Sequence, residues 1–378
     1  MPALSEVEGA GACCLCEAQM KLLDADKLAD LAATLVAAGY RVVAPLRDAQ
    51  GAVRLQVWSP GAAIDAAAIP ANSAKEFLFP STETIGRWSL DGGDFAPEPV
   101  RPAAPRTVLL AVRPCDVAGL AILDAVFSGD CRDAFYSARR EATTIVALAC
   151  STADAECFCT SVGGAPDSAA GADAVLRPAD GGRRFVLEPV TEKGAAVLNA
   201  AGATLAEGQA ALDTSAEVPE RFDAPAVAEW LGSNLPDRQA GFESPLWQDL
   251  GLACLGCGAC THVCPTCHCF DLQDEATRRQ AVRLRNWDSC ALALFTAHAS
   301  GHNPRPTQVE RWRQRVMHKF RYFQERFGSL ACTGCGRCGR LCPAGVTMRA
   351  TCAEIARAAS LLRRSSRSGC EGRKADAK

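Results

Sequence analysis

Cys254-Leu-Gly-Cys-Gly-Ala-Cys-Thr-His-Val-Cys-Pro265 is echoed by Cys332-Thr-Gly-Cys-Gly-Arg-Cys-Gly-Arg-Leu-Cys-Pro343, and these stretches decide how the last third of the chain folds. Each holds three cysteines spaced by two residues and a fourth cysteine just before a proline. Three thiolates so spaced wrap one face of a 4Fe-4S cube, and Gly256, Gly258, Gly334 and Gly336 let backbone amides turn toward the sulfides. In chains that carry two cubes the fourth cysteine crosses to the partner cube. The spacing therefore assigns Cys254, Cys257, Cys260 and Cys342 to one cluster and Cys332, Cys335, Cys338 and Cys264 to a second. Structural zinc is the competing reading, but it favours two cysteine pairs separated by a longer loop. Cubes of this kind pass one electron at a time and bind no substrate themselves, so the expected role is electron relay.

Composition narrows the setting. With 378 residues, 48% apolar and 22% charged, the chain can build two or three domains with ordinary buried cores. It contains no uninterrupted apolar run long enough to span a bilayer, and its first residues, MPALSEVEG, carry acids where a secretory leader needs basic and then apolar residues. A cytoplasmic location is expected. Twenty-one cysteines in that setting imply thiolates kept reduced for metal rather than a disulfide framework, and an oxygen-poor cytoplasm. A net charge of −3 and few aromatic residues argue against nucleic-acid and membrane partners.

The expected fold mixes α+β and α/β character: an N-terminal α/β domain followed by a mainly helical, two-cluster ferredoxin-like domain. Residues 1–24 read as a loosely held arm with Cys13, Cys14 and Cys16, and residues 25–234 as the α/β domain. Within it, a helix runs from Asp26 to Gly39, and Arg41–Pro45 and Val53–Trp58 are strands. Thr107–Val112 and Thr143–Leu148 are apolar strands joined through a helix at Asp116–Phe127, the pattern of a parallel pair with a crossover. A hairpin at 175–190 and helices at 192–201 and 223–234 follow. A linker at 235–245 leads to the cluster domain at 246–362, whose long insert between the cysteine runs reads as largely helical, with helices at 289–299 and Gln308–Phe327. Residues 363–378 form a basic tail of disordered composition.

Four more cysteines invite a third cluster. Cys115 lies just beyond the first parallel strand and Cys150 just beyond the second, where open α/β sheets place ligands, and Cys157 and Cys159 follow closely. The competing reading makes them small buried hydrophobes at strand ends. Cys267, Cys269 and Cys290 form another group near the first run, either ligands of an additional centre, a redox-active thiol site, or sulfurs packed beside the cubes. Cys131, Cys352 and Cys370 have no evident partners. The segment Arg305–Arg326 carries seven arginines or lysines against two acids. One face of it suits solvent, while Arg315 or Lys319 turned inward would offset the charge of anionic cubes. His262, His268, His298, His302 and His318 lack metal-site spacing and read as structural.

The string from Cys254 to Asp271, with Trp287-Asp288-Ser289-Cys290 and His318-Lys319-Phe320, resembles the dicluster iron-sulfur subunits of cytoplasmic hydrogenases and sulfite reductases. Lys75-Glu76-Phe77-Leu78-Phe79-Pro80, Thr82-Glu83-Thr84, Arg113-Pro114-Cys115-Asp116 and Cys157-Phe158-Cys159 extend the likeness across most of residues 70–350. The nearest types are the beta subunit of sulfhydrogenase, a bidirectional NAD(P)-using nickel-iron hydrogenase, and the electron-input subunit of anaerobic sulfite reductase. The resemblance implies a non-catalytic relay inside a hetero-oligomer containing hydrogenase large and small subunits and a flavin- and NAD(P)-binding subunit, or sulfite reductase subunits instead. The chain itself shows neither a strand-linked G-x-G-x-x-G nor a nickel-site cysteine pattern, so substrate chemistry is expected of the partners. Two further readings are a thiol module that reduces disulfides through Cys267, Cys269 and Cys290, and a non-redox metal scaffold.

Overall fold

The computed structural model describes residues 20–91, 94–233 and 240–375. Strand β1 (Met20–Asp24) leads into helix α1 (Leu28–Ala37), which buries Leu28, Leu31, Ala32 and Leu35 at helical spacing along one face. Strands β2 (Arg41–Arg47) and β3 (Val53–Val57) pair antiparallel. After β4 (Thr82–Asp91) and β5 (Asp94–Glu98) comes the crossover unit: β6 (Thr107–Val112), α2 (Pro114–Phe127), α3 (Ala134–Glu141) and β7 (Thr143–Leu148). Then follow β8 (Ala174–Ala179), β9 (Arg184–Pro189), α4 (Glu192–Ala200), β10 (Ala206–Gly208) and α5 (Ala224–Gly232). Eight strands form one mixed sheet in the order β10-β1-β9-β8-β7-β6-β2-β3, parallel from β8 through β2.

The uninterrupted apolar character of β6 and β7 follows from burial on both faces. Val42, Val108, Leu110 and Val146 join the core beneath α1 and α4, while Val43, Leu109, Ile145 and Ala147 join the core beneath α2 and α3. The alternation slips once. Ala111 has φ +58°, and the register with β7 shifts between Leu110 and Val112. Val112 therefore enters the α2-side core with Leu109, opposite to strict alternation from Leu110. This strained bulge sets the direction of the Arg113-Pro114-Cys115-Asp116 turn immediately after it.

The cluster half contains α6 (Leu246–Gly251), α7 (Ala259–His262), β11 (Phe270–Ala276), β12 (Gln280–Trp287) and α8 (Gln308–Met317). A π-helical turn at His318–Tyr322 joins α8 to α9 (Phe323–Phe327), and α10 (Arg337–Arg340) and α11 (Met348–Ala375) complete the chain. The start of α8 carries a capping box, with Thr307 and Glu310 satisfying each other's backbone amides.

Several expectations change here. The insert between the cysteine runs is not mainly helical: β11 and β12 form a hairpin, and β12 pairs with β4 from the other half of the chain, giving a four-stranded antiparallel sheet ordered β11-β12-β4-β5. Long-range pairing overrides the weak helical pattern. The 289–299 segment contains only a short 3-10 turn at Ala293–Thr296. Residues 20–24, expected in the arm, pair with β9 and β10, whereas Cys13, Cys14 and Cys16 lie outside the described residues. The tail continues α11 to Ala375, since a helix anchored by Met348, Cys352 and Ile355 is extended at little cost through arginine-rich sequence. Helix α5 packs against α11, and Trp230 meets Trp247 edge-on at 5.6 Å, so the chain on both sides of the expected 235–245 linker shares one core. Residues 235–239 of that linker lie outside the described residues.

Buried ion pairs join the two halves. Arg337, within the second cysteine run, donates to Asp116 at 2.7 Å and to the Pro70 carbonyl at 2.8 Å, with both charged side chains almost wholly buried. Arg285 of β12 pairs with Glu83 and Asp133, and Arg139 also pairs with Glu83. Gly119 lets α2 approach Pro265, because a Cβ there would sit 2.5 Å from the proline Cβ. Arg337→Met leaves Asp116 charged and unpaired in the interior. We expect a loss of about 3–5 kcal/mol in stability, measured by anaerobic denaturant titration.

Candidate metal centre

Cys254, Cys257 and Cys260 line one cavity together with Cys342, which comes from the far end of the second run. Gln308 of α8 donates to Cys254 Sγ at 3.2 Å, and Cys257 is exposed. Helices α7 and α10 carry the third cysteines of the two runs, Cys260 and Cys338, and each leads toward the fourth.

Cys264, Cys332, Cys335 and Cys338 make up the second assigned set. Cys332 and Cys338 both feel the charge of Cys264, and Cys338 feels that of Cys335. Burial pushes the Cys332 thiol up to about 12, opposed by Lys319, and Cys338 up to about 11, opposed by Arg315. The π-helical turn delivers Lys319, whose Nζ lies 3.4 Å from Cys264 Sγ, 2.7 Å from Thr266 Oγ1 and 2.8 Å from the Ala331 carbonyl. Arg315 donates to Cys267 Sγ at 3.3 Å and to the Cys260 carbonyl at 2.9 Å. Both inward cations anticipated from sequence are therefore present, and each is buried. Neither forms an ion pair with Asp or Glu among the described residues, and Arg315 Nε is buried without a partner. A cationic interior faced by sulfur and lacking carboxylates fits anionic iron-sulfur cubes.

The third group also converges. Cys115, Cys150, Cys157 and Cys159 line one cavity, which Cys335 of the second run also borders. Cys115 sits at the start of α2 and Cys150 just past β7, as the sheet topology requires. The loop carrying Cys157 and Cys159 is shaped by Asp154, which accepts from the Glu156 amide at 2.9 Å and from Arg340 Nη2 at 2.7 Å. Those bonds, Arg340's first among them, hold the Asp154 carboxyl down at about 2. Arg340 also donates to Cys157 Sγ at 3.3 Å and to the Cys335 carbonyl at 2.7 Å. Phe158 N donates to Gly334 O at 2.9 Å, and a Cβ on Gly334, whose φ is +63°, would lie 2.5 Å from Cys159 Cα. The third thiol loop thus rests directly on the backbone of the second run.

Asp116, Arg337, Asp154 and Arg340 were not singled out by sequence as partners. The signal for Asp116, Arg337 and Arg340 lies in the charged residues within Arg-Pro-Cys-Asp and Cys-Gly-Arg-Cys-Gly-Arg, and that for Asp154 in an acid three residues before Cys157. His268 and His318 pack ring against ring at 5.5 Å, and burial holds His318 neutral, down at about 4, in keeping with a structural role. Among the described residues, no three His, Cys, Asp or Glu side chains are gathered around a single-ion site.

Residues 253–346 match the 4Fe-4S dicluster domain family. The Sulfhydrogenase 2 subunit beta of Pyrococcus furiosus is 35% identical over 250 residues, covering 63% of this chain and 71% of the relative. The chain belongs to the sulfhydrogenase beta-subunit family. It is an iron-sulfur, hydrogenase-related electron-transfer subunit of the 4Fe-4S dicluster type. No solved structure matches it. Among the described residues, no helix is long and apolar enough to cross a membrane.

Burial pushes the thiols of Cys159 and Cys338 up to about 11, so in the apoprotein these two stay protonated near neutral pH. Loading iron must displace those protons. Anaerobic reconstitution is expected to release protons, measurable in weakly buffered solution, and to weaken as pH falls; loading without proton release would contradict it.

Proposed function

We propose that this chain is the iron-sulfur conductor of a cytoplasmic, NAD(P)-linked nickel-iron hydrogenase complex. Cys254, Cys257, Cys260 and Cys342 hold one 4Fe-4S cluster, Cys264, Cys332, Cys335 and Cys338 a second, and Cys115, Cys150, Cys157 and Cys159 a third. The observation that carries this reading is the convergence of Cys342 with the first run, together with the seating of the Cys157–Cys159 loop on Gly334. These contacts support a row of neighbouring centres. Each cluster, when bound, supplies one-electron transfer. The polypeptide supplies thiolates, aims amides through its glycine turns, excludes water with the core around Trp312 and Met348, and balances charge through Arg315 and Lys319.

The relative's name designates one subunit of a sulfhydrogenase, which supports a hetero-oligomer. Its partners here would be hydrogenase large and small subunits and a flavin- and NAD(P)-binding subunit. Anaerobic co-purification with mass-spectrometric identification tests this. The expected companions include a nickel-iron large subunit together with a flavin subunit; a sirohaem subunit in their place would transfer the chain to sulfite reduction. Cys335→Ala should lose the iron and sulfide of the second cluster while the partners' active sites remain assembled. Unchanged iron content would contradict the ligand assignment.

A further inference from the structure

Helix α8 lays one face along the cavity of the first cysteine set. Gln308, Arg311, Trp312 and Arg315, spaced by three and four residues, all line it. Arg315 supplies charge, whereas Gln308 and Trp312 supply neutral N–H groups.

The direction of the Gln308 amide is set by its neighbours. Arg311 Nε donates to Gln308 Oε1 at 2.9 Å, and Arg311 Nη1 donates to the carbonyls of Arg305 and Pro306, each at 2.9 Å. With its oxygen engaged, the amide turns Nε2 to the ligand sulfur and donates to Cys254 Sγ at 3.2 Å. Gly256 leaves the room for this, since a Cβ there would lie 2.8 Å from Gln308 Oε1.

Trp312 stands one turn further along the same face. It is 3% exposed, and its Nε1 is buried with no hydrogen-bond partner among the described residues. Gly251, at the end of α6, admits α8 closely and fixes this stretch of it, because a Cβ there would lie 2.9 Å from Val309 Cα. A buried indole N–H normally finds an acceptor, since leaving it unmet costs the desolvation of the group. The acceptors that suit this cavity are sulfurs, both the ligand thiolates and the sulfides of a bound cube.

We propose that Gln308 and Trp312 set the reduction potential of the first cluster by directing their N–H groups at its sulfurs. This rests on the reading that Cys254, Cys257, Cys260 and Cys342 hold a 4Fe-4S cube. One-electron reduction makes the cube and its ligands more negative, and an N–H dipole aimed at sulfur stabilises that state more than the oxidised one. The two donors therefore raise the potential of this cluster.

The test is a redox titration of the full chain, purified anaerobically with its partners and followed by low-temperature paramagnetic resonance. Cys257→Ala, which removes a ligand of the first set, identifies the signal that belongs to that cluster. Trp312→Phe and Gln308→Leu should each lower its midpoint potential by about 28 to 59 mV, a threefold to tenfold change in the reduction equilibrium at 59 mV per decade for one electron. Iron, sulfide and the other midpoints should stay unchanged. A packing role alone gives the opposite sign, because a smaller ring admits water, and solvent donors raise the potential. Gln308 is half-buried, so Gln308→Leu decides the matter if Trp312→Phe fails to fold. An unchanged or raised midpoint in either loaded variant overturns the role of that residue. If Cys257→Ala loses no iron, the ligand assignment of the first set fails and this inference with it. If it loses one cluster's iron while neither variant moves the midpoint, this inference alone is refuted.

Discussion

Buried positive charge facing sulfur, without a carboxylate to neutralise it, is the constraint on which the cluster half of the molecule depends. Arg315 and Lys319 point into the space between the two ferredoxin-type cysteine runs, and burial works against both charges. Neighbouring thiolates more than offset that penalty, holding both side chains protonated. Without those sulfurs the core would retain an uncompensated charge, which is among the most destabilising features a fold can carry. The helix bearing these cations, its π-helical turn and its capping box are thus tied to the inorganic chemistry that the cysteines serve.

The same logic operates at the junction of the two halves. Asp116 follows Cys115, and Arg337 lies between Cys335 and Cys338, so their ion pair fastens the third thiol group to the second at the level of the ligands themselves. Arg340 repeats the device through Asp154 and the Cys335 carbonyl. A conductor needs short, fixed separations between its centres, and salt bridges and backbone bonds anchored between ligand cysteines fix separations better than distant apolar packing would. Gly334 completes the arrangement by admitting the Cys159 backbone where any side chain would block it.

Much of this was legible in the residues. The strands Thr107–Val112 and Thr143–Leu148, their parallel pairing and the helix between them follow from continuous apolar runs flanking a crossover. The convergence of Cys115 and Cys150 follows from that topology. What could not be read were long-range pairings. The strand Phe270–Ala276 is exposed along its whole length and is held by Gln280–Trp287, which in turn is held by Thr82–Asp91. Nothing local distinguishes it from a polar helix. The bulge at Ala111 was equally hidden, since a left-handed backbone at alanine has no sequence signature, yet it re-aims the turn that bears Cys115.

Inorganic cubes held by the paired carboxy-terminal cysteine sets are what the buried cations and the electron-relay role both require. Low-temperature electron paramagnetic resonance of the anaerobically purified protein after dithionite reduction, calibrated against its iron and acid-labile sulfide, tests this most directly. Signals of reduced, magnetically interacting 4Fe-4S clusters, with iron and sulfide sufficient for at least two cubes, are predicted. A colourless, iron-free and silent protein would contradict it.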